Sequence, residues 1–398
     1  MNAPIPLEEA QARLLDQVTP LPAEQVATHA AAGRFLSAPL LAVRTQPAAD
    51  LSAMDGYAMR ADDLAGPWQV IGRSAAGNPF ARPLATGEAV RIATGALVPD
   101  GGGAVLLQEE ALRDGDALSL LPGGTPDARH IRRAGFDFQA GEALLPAGAA
   151  IGPGQIALAL SAGHATLPVG RRARVAVLDS GDELTTDPAN CQPHQIPASN
   201  GAMLAALIAP LAASVTRLGP VADTMDALLA ALDQAGEADV LVTSGGASVG
   251  DHDLIRPALE RWGATIDFWR VAIKPGKPLL LARRRGDGHE QWILGLPGNP
   301  VSSYVTAYLF LLPLLRALAG AAAPLPASLR LPLAAPLSAA GARMEFLRAR
   351  HGSDGVMPVN EQDSSALRSL AASNALIRRP ARSPAAEIGA MVEVHLLA

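Results

Sequence analysis

From Arg174 onward, short runs of aliphatic and β-branched residues alternate with segments that have helical periodicity. The runs are hydrophobic throughout, which is typical of strands that are buried on both faces of a sheet. The alternation predicts a central doubly wound α/β domain, in which helices cover a parallel sheet. The predicted strands are Val175–Leu178, Val240–Thr243, Phe268–Ala272 and Trp292–Leu296.

Three helices are predicted between these strands, at Ser199–Ile208, Thr224–Gln234 and Asp253–Trp262. Ser199 and Thr224 are the predicted N-caps. The side-chain oxygen of such a residue accepts a hydrogen bond from a backbone amide in the first turn of the helix.

Neither the most apolar stretch of the chain nor its N-terminus is predicted to be a membrane or secretory segment. Residues 301–319 form the most apolar stretch, but we interpret it as a buried helix of a soluble domain because it contains polar residues and a proline that are costly in a lipid-facing helix. These residues are Ser302, Ser303, Pro313 and Arg316. The N-terminus has early acidic residues and no continuous apolar core, so it does not resemble a secretory signal. Leu7, Leu14 and Val18 instead predict a helix with one apolar face.

The regions that flank the α/β domain carry shorter strand patterns. Residues 44–170 are rich in Gly and Pro and contain short apolar runs, which predicts a mostly-β module. After Ala323, a Pro-rich linker leads into a second short-stranded region, predicted as a small β-barrel. The predicted domains are an α/β domain at 1–22 and 171–325, a linking domain at 23–43 and 141–170, a mostly-β domain at 44–140 and a C-terminal β-barrel at 326–398.

Composition narrows the class of protein. The 398 residues are 49% hydrophobic and 18% charged, as expected of a folded protein with several domains. The net charge of -6 argues against nonspecific nucleic-acid binding, which depends on Lys and Arg. Cys191 is the single cysteine, so no disulfide framework or thiolate zinc site is expected. These features predict a cytoplasmic protein with no nucleic-acid or membrane partner.

Chemically distinctive residues directly follow each predicted strand. In open parallel sheets, ligands bind beyond the carboxyl ends of the strands, so these four loops form the candidate site. The first loop carries Asp182 and Glu183, whose oxygens suit a hard cation. The second loop, TSGGASVGDHD at 243–253, has small residues whose backbone amides can form an anion nest, followed by carboxylates that suit Mg²⁺.

The other two loops favour anions. IKPGKP at 273–278 holds Lys274 and Lys277 in a turn stiffened by prolines, which suits an oxyanion or a phosphate. LPGNPVSS at 296–303 places Asn299 and Ser302 at the start of a helix, where the partial positive charge attracts anions. One such loop alone would be interpreted as a structural turn. Four of them at successive strand ends predict a site for a phosphate-bearing ligand.

Several familiar site types are excluded by residue type. The Gly276-Lys277 pair is not a Walker A site, because Val271 stands where the upstream glycine is required and Pro278 follows the lysine. The dinucleotide fingerprint is absent after the first predicted strand, and no HExxH helix occurs in the sequence. The letters GASVG at 246–250 match GxSxG, but they belong to the run that we interpret as an anion nest and not as a nucleophile elbow. None of the eight histidines is assigned a role. Nicotinamide dehydrogenase, serine hydrolase and zincin chemistry are therefore not expected.

Read in order, the motifs SAMDGYA, RIATGA, HIRRAGFDF, SGDEL, TSGGASVGDHD, IKPGKP and LPGNPVSS closely resemble those of the molybdopterin molybdenumtransferases, the MoeA family that includes the gephyrin E domain. The resemblance spans nearly the whole chain. It implies a homodimer that takes adenylylated molybdopterin and molybdate in the presence of Mg²⁺. The metal is inserted at the pterin dithiolene and AMP is released, which gives molybdenum cofactor.

The resemblance also implies roles for individual residues. Asp223 would serve the nucleotide and Mg²⁺ end of the ligand, and the second loop would line its phosphates. Lys274, Lys277 and Ser302 would hold molybdate, while Asp55 and Thr94 would reach across the dimer. The implied catalytic residues are Asp55, Thr94, Glu183, Asp253, Lys274 and Lys277, of which Glu183 and Asp253 are the Mg²⁺ ligands. The implied substrate-binding residues are Asp182, Asp223, Ser244, Gly245, Gly246, Ser248, Pro297, Asn299, Pro300, Ser302, Arg132, Arg133, Asp137, Arg343, Arg348 and Ser364.

The chain departs from the family pattern at two places. Phe136 stands where members commonly carry an acidic residue, and Ala198 replaces the acid of a Tyr-Asp-x-Asn stretch. Two alternatives remain open: a molybdopterin adenylyltransferase, which resembles residues 171–319, and a non-catalytic scaffold of the gephyrin type. An adenylyltransferase and the acceptor molybdoenzymes are also the expected protein partners.

Overall fold

The structure is a computed structural model that describes residues 4–245, 254–276, 278–285 and 290–397. Residues 4–170 form two helices and many short strands. Three 3-10 turns lie at Thr28–Ala30, Gln108–Glu110 and Ala128–His130. The bounds in chain order are α1 Leu7–Leu15, β1 Ala23–Ala27, β2 Leu40–Leu41, β3 Leu51–Ser52, β4 Gly56–Arg60, β5 Trp68–Ser74, β6 Glu88–Ile92, β7 Gly102–Leu107, β8 Ala111–Asp114, β9 Ala117–Leu120, β10 Ile131–Arg132, β11 Ala143–Leu145, α2 Pro153–Ser161 and β12 Thr166–Gly170.

The predicted mostly-β module is present. Six strands form one sheet in the order β7-β4-β6-β5-β9-β8, in which only the β5–β6 pair is parallel. A second, two-stranded pairing joins β3 to β10. The segments that precede and follow this module pair with each other, since β1 lies against β12 and β2 against β11. A small apolar core that includes Leu36, Ile151 and Leu167 fills the space between these pairs and α2. The domain borders remain a prediction.

The next region is the α/β domain. Its elements are β13 Ala173–Ser180, β14 Leu184–Thr185, β15 Ile196–Pro197, α3 Asn200–Ile208, β16 Ala212–Val221, α4 Met225–Gln234, β17 Val240–Ser244, α5 Ile255–Arg261, β18 Thr265–Arg270, β19 Ile273–Lys274, β20 Pro278–Arg285, β21 Glu290–Leu296, α6 Pro300–Thr306, a π-helical segment Ala307–Leu311 and α7 Leu312–Leu318.

The main sheet of this domain has six strands in the order β16-β13-β17-β21-β20-β18. The first four strands are parallel to one another, and three of them, β13, β17 and β21, were predicted, whereas β16 was not. β20, which the sequence did not predict, runs antiparallel to both of its neighbours. β18 therefore points in the same direction as β13, β17 and β21. All four predicted strands consequently end at one edge of the sheet.

Alternate residues of the central strands point into two apolar cores, which explains why the strands are hydrophobic throughout. Val175 and Val177 of β13 face α1, α3, α6 and α7, whereas Ala176 and Leu178 face α4 and α5. The predicted helix starts are close to those observed. Thr224 caps α4 by accepting a hydrogen bond from the Ala227 amide at 3.4 Å. Ser199 precedes α3 but makes no side-chain capping bond, contrary to the prediction.

The apolar stretch at 300–318 is a core helix, as predicted. By length and composition alone, this helix could cross a membrane. However, 83% of its most apolar 18-residue segment is buried within the protein. α1 packs against α7, and Gln11 Nε2 donates to the carbonyl of Leu309 at 2.9 Å. Leu7 and Leu14 of α1 are buried in the same core, and Val18 joins it from just beyond the end of the helix.

The C-terminal region forms the predicted barrel. Its elements are β22 Leu329–Pro332, β23 Met344–Gly352, β24 Gly355–Pro358, α8 Leu367–Ala371, β25 Ala375–Arg379 and β26 Met391–Leu396. Antiparallel pairing runs along β22-β26-β25-β23-β24. A bridge between Leu333 and Val356 returns from β24 to the end of β22 and closes the sheet. β19 of the α/β domain pairs in parallel with β23 and so joins the two domains.

Candidate functional site

A cleft of about 790 Å³ opens at the carboxyl ends of β13, β17 and β21. Its volume is within the range of about 300 to 1,000 Å³ that is usual for small-molecule sites. All four predicted loops contribute residues to it. The loop at 273–278, which we call the lysine loop, contributes Gly276 and Pro278. The described residues that line the cleft are Asp179, Ser180, Glu183, Leu184, Ile196, Pro197, Ala198, Ser199, Asn200, Ser244, Gly245, Gly276, Pro278, Pro297, Gly298, Asn299, Pro300, Ser302, Ser365 and Leu367.

A buried carboxylate fixes one wall of the cleft. Asp179, near the end of β13, is 4% exposed, and it accepts a hydrogen bond from the Gly201 amide in the first turn of α3. An added Cβ at Gly201 would lie 2.1 Å from Asp179 Oδ2, so a larger residue does not fit there. Burial raises the pKa of Asp179, although the positive charge of Arg217 and the Gly201 hydrogen bond partly oppose this effect.

Asn200 holds three loops of the cleft together. Its Nδ2 donates to Ser244 Oγ at 2.9 Å and to the Gly298 carbonyl at 2.6 Å. The side chain therefore ties the start of α3 to the ends of β17 and β21. The sequence prediction gave this residue no role, although it is the asparagine of the Tyr-Asp-x-Asn stretch in which Ala198 departs from the family pattern.

The described part of the predicted anion nest is already hydrogen-bonded. Ser244 is 5% exposed, and Gly245 has a φ of 102°, which favours glycine. The Gly245 amide donates to the Leu296 carbonyl at 3.0 Å, so this amide is not free for a phosphate. Gly246, Ser248 and Asp253 lie outside the described residues.

Acidic residues gather beside the cleft. Asp182 and Glu183 are exposed, and Asp182 Oδ1 accepts a hydrogen bond from the Asp223 amide at 3.0 Å. Burial raises the pKa of Asp223, a hydrogen bond from the Asp182 backbone lowers it, and the charges of Asp182 and Glu183 raise it further. A hard cation would relieve this repulsion, so these oxygens fit Mg²⁺ chemically. However, no group of three or more metal-ligating side chains in binding geometry occurs among the described residues.

The lysine loop connects the cleft to the barrel. Lys274 is exposed and lies 3.5 Å from Glu345 Oε1 of β23, so its charge is paired with the barrel. Arg343 Nη1 donates to the Ile273 carbonyl at 3.1 Å. Gly276 lines the cleft with a φ of 99°, a conformation that side chains rarely adopt. Lys277 lies outside the described residues.

The barrel also supports the start of α6. Ser364 Oγ accepts from Asn299 Nδ2 at 3.0 Å, and its carbonyl accepts from the Val301 amide. Arg348 does not line the cleft. It is 1% exposed, donates to the Glu361 carbonyl at 2.8 Å, and its pKa is lowered by burial. Its position suits support of the loop that carries Ser364 better than contact with a ligand.

The remaining predicted residues lie on the N-terminal module in a group that we call the Asp55 patch. Asp55 Oδ1 accepts hydrogen bonds from the backbone and the hydroxyl of Thr94, at 2.7 and 3.1 Å, and these bonds hold the pKa of Asp55 below its ordinary value. Arg133 Nη1 donates to Asp50 Oδ2 at 2.5 Å. The members of the patch are Asp50, Asp55, Thr94, Arg132 and Arg133.

Backbone pairing makes the Asp55 patch one continuous surface. The segment at 50–55 lies between two others, because Ser52 accepts from the Gly95 amide and the Ala53 amide donates to His130. Asp137 is exposed nearby, and Phe136 is 75% exposed. None of these residues lines the cleft of the same chain. The structure thus divides the predicted site into a cleft and a separate patch.

Charge distinguishes the cleft from the patch. The described residues that line the cleft include two carboxylates, Asp179 and Glu183, and no Lys, Arg or His. The Asp55 patch, in contrast, presents the exposed side chains of Arg132 and Arg133. Within the described part of one chain, the cations expected for an anionic ligand are therefore not in the cleft lining.

Three family models match the chain in succession. The model described as "MoeA N-terminal region (domain I and II)" matches residues 5–163. The model described as "Probable molybdopterin binding domain" matches residues 176–317, and "MoeA C-terminal region (domain IV)" matches residues 330–397. Together they cover the N-terminal modules, the α/β domain and the barrel.

Individual proteins are similar over most of their length. A molybdopterin molybdenumtransferase of Haemophilus influenzae is 37% identical over 321 residues, which are 79% of this chain and 78% of that protein. One of Bacillus subtilis is 32% identical and covers 100% of this chain and 95% of its own length. A crystal structure of the molybdopterin biosynthesis moeA protein from Pyrococcus horikoshii is 26% identical, with a TM-score of 0.84 over 99% of this chain and 100% of that chain.

Proposed function

Because this chain belongs to the MoeA family, we propose that it is a molybdopterin molybdenumtransferase. It takes adenylylated molybdopterin and molybdate, inserts the metal at the dithiolene and releases AMP to form molybdenum cofactor. The observation that carries this proposal is the convergence of the family motifs on one cleft. SGDEL, the start of TSGGASVGDHD, KPGKP and LPGNP all contribute to its lining.

The cleft is suited to hold the ligand in one orientation. Asn200 fixes the ends of β17 and β21 relative to α3, and Ser364 fixes the start of α6. Such loops need little rearrangement when a ligand binds, and holding reactants in position can supply a large share of an enzyme's rate enhancement. In the proposed complex, Ser244 and the glycines that follow it line the phosphates. Pro297, Asn299 and Pro300 line the cleft beside them.

We assign the metal end of the ligand to the acidic residues. Glu183 and Asp253 would hold Mg²⁺, and Asp182 and Asp223 would support them. When bound there, the ion would neutralise charge on the pyrophosphate linkage. The protein's own contribution is to gather the carboxylates beside the cleft, and molybdate would bind beside Lys274, Lys277 and Ser302.

We further propose that the site is completed in a homodimer in the cytoplasm. The ligand is strongly anionic, whereas the described cleft lining carries carboxylates and no cations. The Asp55 patch of a second copy would supply Arg132 and Arg133 together with Asp55 and Thr94. Asp137, which is exposed and follows Arg132 and Arg133 in the chain, would take part as well. In this arrangement each site combines the cleft of one copy with the Asp55 patch of the other.

The proposal is tested by AMP release from adenylylated molybdopterin with Mg²⁺, with and without molybdate. We expect molybdate-dependent release and metal bound to the pterin. Glu183→Gln should lower apparent Mg²⁺ affinity by at least about 10- to 100-fold, because the loss of a direct ligand should cost no less than the loss of an outer-shell partner. Glu237→Gln is the matched control, because the side chain of Glu237 is 93% exposed on the same domain. Release that does not depend on molybdate would contradict the proposed function.

A further inference from the structure

One aromatic side chain differs from all the others that the structure describes. Phe136 is 75% exposed, whereas every other Phe, Tyr and Trp whose side chain is described is buried or half-buried. Phe138, only two residues further along the chain, is buried and packs in a small core with Ala42 and Ala162. Aromatic residues dominate the energetics of interfaces as well as of cores. The ring of Phe136, which the fold leaves outside every core, is therefore available to a ligand or a partner.

The turn that carries Phe136 is fixed by hydrogen bonds. The Phe136 amide donates to the Arg133 carbonyl at 3.0 Å, and Gly135 has a φ of 74°, the left-handed conformation that a type II turn requires at its third residue. Asp50 accepts from the Ala134 amide at 2.9 Å and from Arg133 Nη1, so it ties the turn to the Asp55 patch. Phe136 is thus presented on a preorganised turn, and little conformational freedom is lost when its ring is contacted.

The cleft lacks the kind of side chain that Phe136 provides. The described residues that line the cleft include no Phe, Tyr, Trp or His. Pro197 lines the cleft at the position where the Tyr-Asp-x-Asn stretch of the family pattern has its tyrosine. The proposed ligand, however, carries two planar heterocycles, which are the adenine of the nucleotide and the pyrimidine ring of the pterin. Proteins commonly bind the face of such a ring by stacking an aromatic side chain on it.

We propose that Phe136 of one copy stacks on a planar heterocycle of the ligand in the cleft of its partner, and so supplies the ring that the described cleft lining lacks. The inference rests on the proposed function, because the heterocycles belong to that ligand and the site is completed across the homodimer. Within one chain, Phe136 does not line the cleft, so its ring meets the ligand only from the second copy. Arg132 and Arg133 on the same surface bring positive charge to the phosphates that adjoin the heterocycle.

Variants that separate the aromatic ring from its bulk test this assignment. Phe136→Ala removes the side chain, Phe136→Leu keeps an apolar side chain without a ring, and Phe136→Tyr keeps the ring. Ile388→Ala is the matched control, because Ile388 is 67% exposed on the barrel. Binding of AMP and of molybdopterin without the nucleotide is measured separately by calorimetry on the purified full-length chain with Mg²⁺. The two probes distinguish adenine from pterin as the stacked ring, and sedimentation records whether each variant stays dimeric.

We expect Phe136→Ala and Phe136→Leu to weaken binding of one of the two probes by about 5- to 150-fold, which corresponds to the loss of one stacked base. Phe136→Tyr and Ile388→Ala should bind both probes like the wild-type chain, because the first keeps the ring and the second lies outside the proposed site.

Unchanged binding of both probes in Phe136→Ala, or wild-type binding in Phe136→Leu, would overturn the inference while leaving the proposed function intact. A loss of binding that accompanies dissociation of the dimer would overturn it too, since Phe136 would then be a contact between the two copies. If the wild-type chain binds neither probe, the inference fails as well, and the AMP-release assay of the wild-type chain then decides whether the proposed function fails with it.

Discussion

At the scale of single residues, the carboxylate of Asp179 couples stability to pH. Burial raises its pKa above the ordinary value of 3.8, so the folded chain binds this proton more tightly than the unfolded chain does. Protonation therefore favours the folded state. As pH rises from about 4 through the raised pKa, this contribution to stability is lost, and above the raised pKa the loss is complete.

Asp179→Asn should therefore raise the melting temperature at pH 7 and change it little at pH 4. The amide oxygen of asparagine can still accept from the Gly201 amide, and asparagine carries no charge at either pH. Thermal unfolding at the two pH values measures the effect. Asp267→Asn serves as the control, because Asp267 is exposed on the same domain. An equal shift at both pH values would contradict a raised pKa for Asp179.

Residues with distinctive chemistry directly after a strand could be predicted from the sequence alone. Glu183, Ser244 and Asn299 all line the cleft, as the strand-end rule requires. Asn200 and Asp179 were missed because their roles depend on which loops meet in space. The burial of Arg348 was equally hidden, since a charged residue on a strand is normally exposed.

At the scale of secondary structure, the first turn of α3 depends on one glycine. Gly201→Ala would place a Cβ 2.1 Å from Asp179 Oδ2. We expect a loss of about 1 to 3 kcal/mol in unfolding free energy, as is usual for overpacking. Gly154→Ala in α2 is the control, because nothing lies within 4 Å of a Cβ at that position. This control should be neutral or slightly stabilising.

A double-mutant cycle identifies the cause of the loss. If the clash is with the carboxylate, Gly201→Ala should cost much less in the background of Asp179→Ala, where the space is free. Denaturant titration of the four proteins gives the coupling energy. A cost that is the same in both backgrounds would mean that the damage arises elsewhere.

Strands and helices of the α/β domain were predicted best where their pattern was strongest. β13, β17 and β21 are buried on both faces and were recognised by their continuous hydrophobic runs. β16 was missed because it is an edge strand whose residues are mostly exposed or half-buried. β20 was missed because its apolar run begins with Pro278 and ends in three arginines, which is atypical of a central strand.

At the scale of the whole molecule, the division of charge between cleft and patch makes a prediction about assembly. If the Asp55 patch of one copy completes the cleft of another, Asp55→Ala and Glu183→Ala should each be inactive alone. Random co-assembly of the two variants should restore about a quarter of wild-type activity, because half of the dimers would contain one intact site of two. Co-expression with two affinity tags and AMP release measures this.

The control pairs two variants with the same defect. Co-assembly of Asp55→Ala with Asp55→Asn leaves no intact patch, so activity should stay low. Restored activity in this control would point to residual function of the variants. Failure of the Asp55→Ala and Glu183→Ala pair to recover activity, despite a mixed dimer on the two-tag column, would contradict the shared site.

The overall architecture could largely be predicted from the sequence. The strand pairings that join the modules, or that close the barrel, could not. An α/β domain, a mostly-β module and a small barrel were each predicted from local patterns. The pairing of β19 with β23, and the bridge from Leu333 to Val356 that closes the barrel, depend on contacts between distant residues. Local periodicity carries no information about such contacts.

The position of α1 has a consequence for how the protein is made. Leu7 and Leu14 are buried against helices near the C-terminal end of the α/β domain, and Gln11 bonds to Leu309. On the ribosome, at about 5 to 20 residues per second, α1 emerges on the order of 15 to 60 s before its partner α7 is synthesised. During that interval its apolar face lacks its contacts with α7 and is accessible to chaperones. Helix α1 thus completes its native packing only after a segment about 300 residues further along the chain has been made.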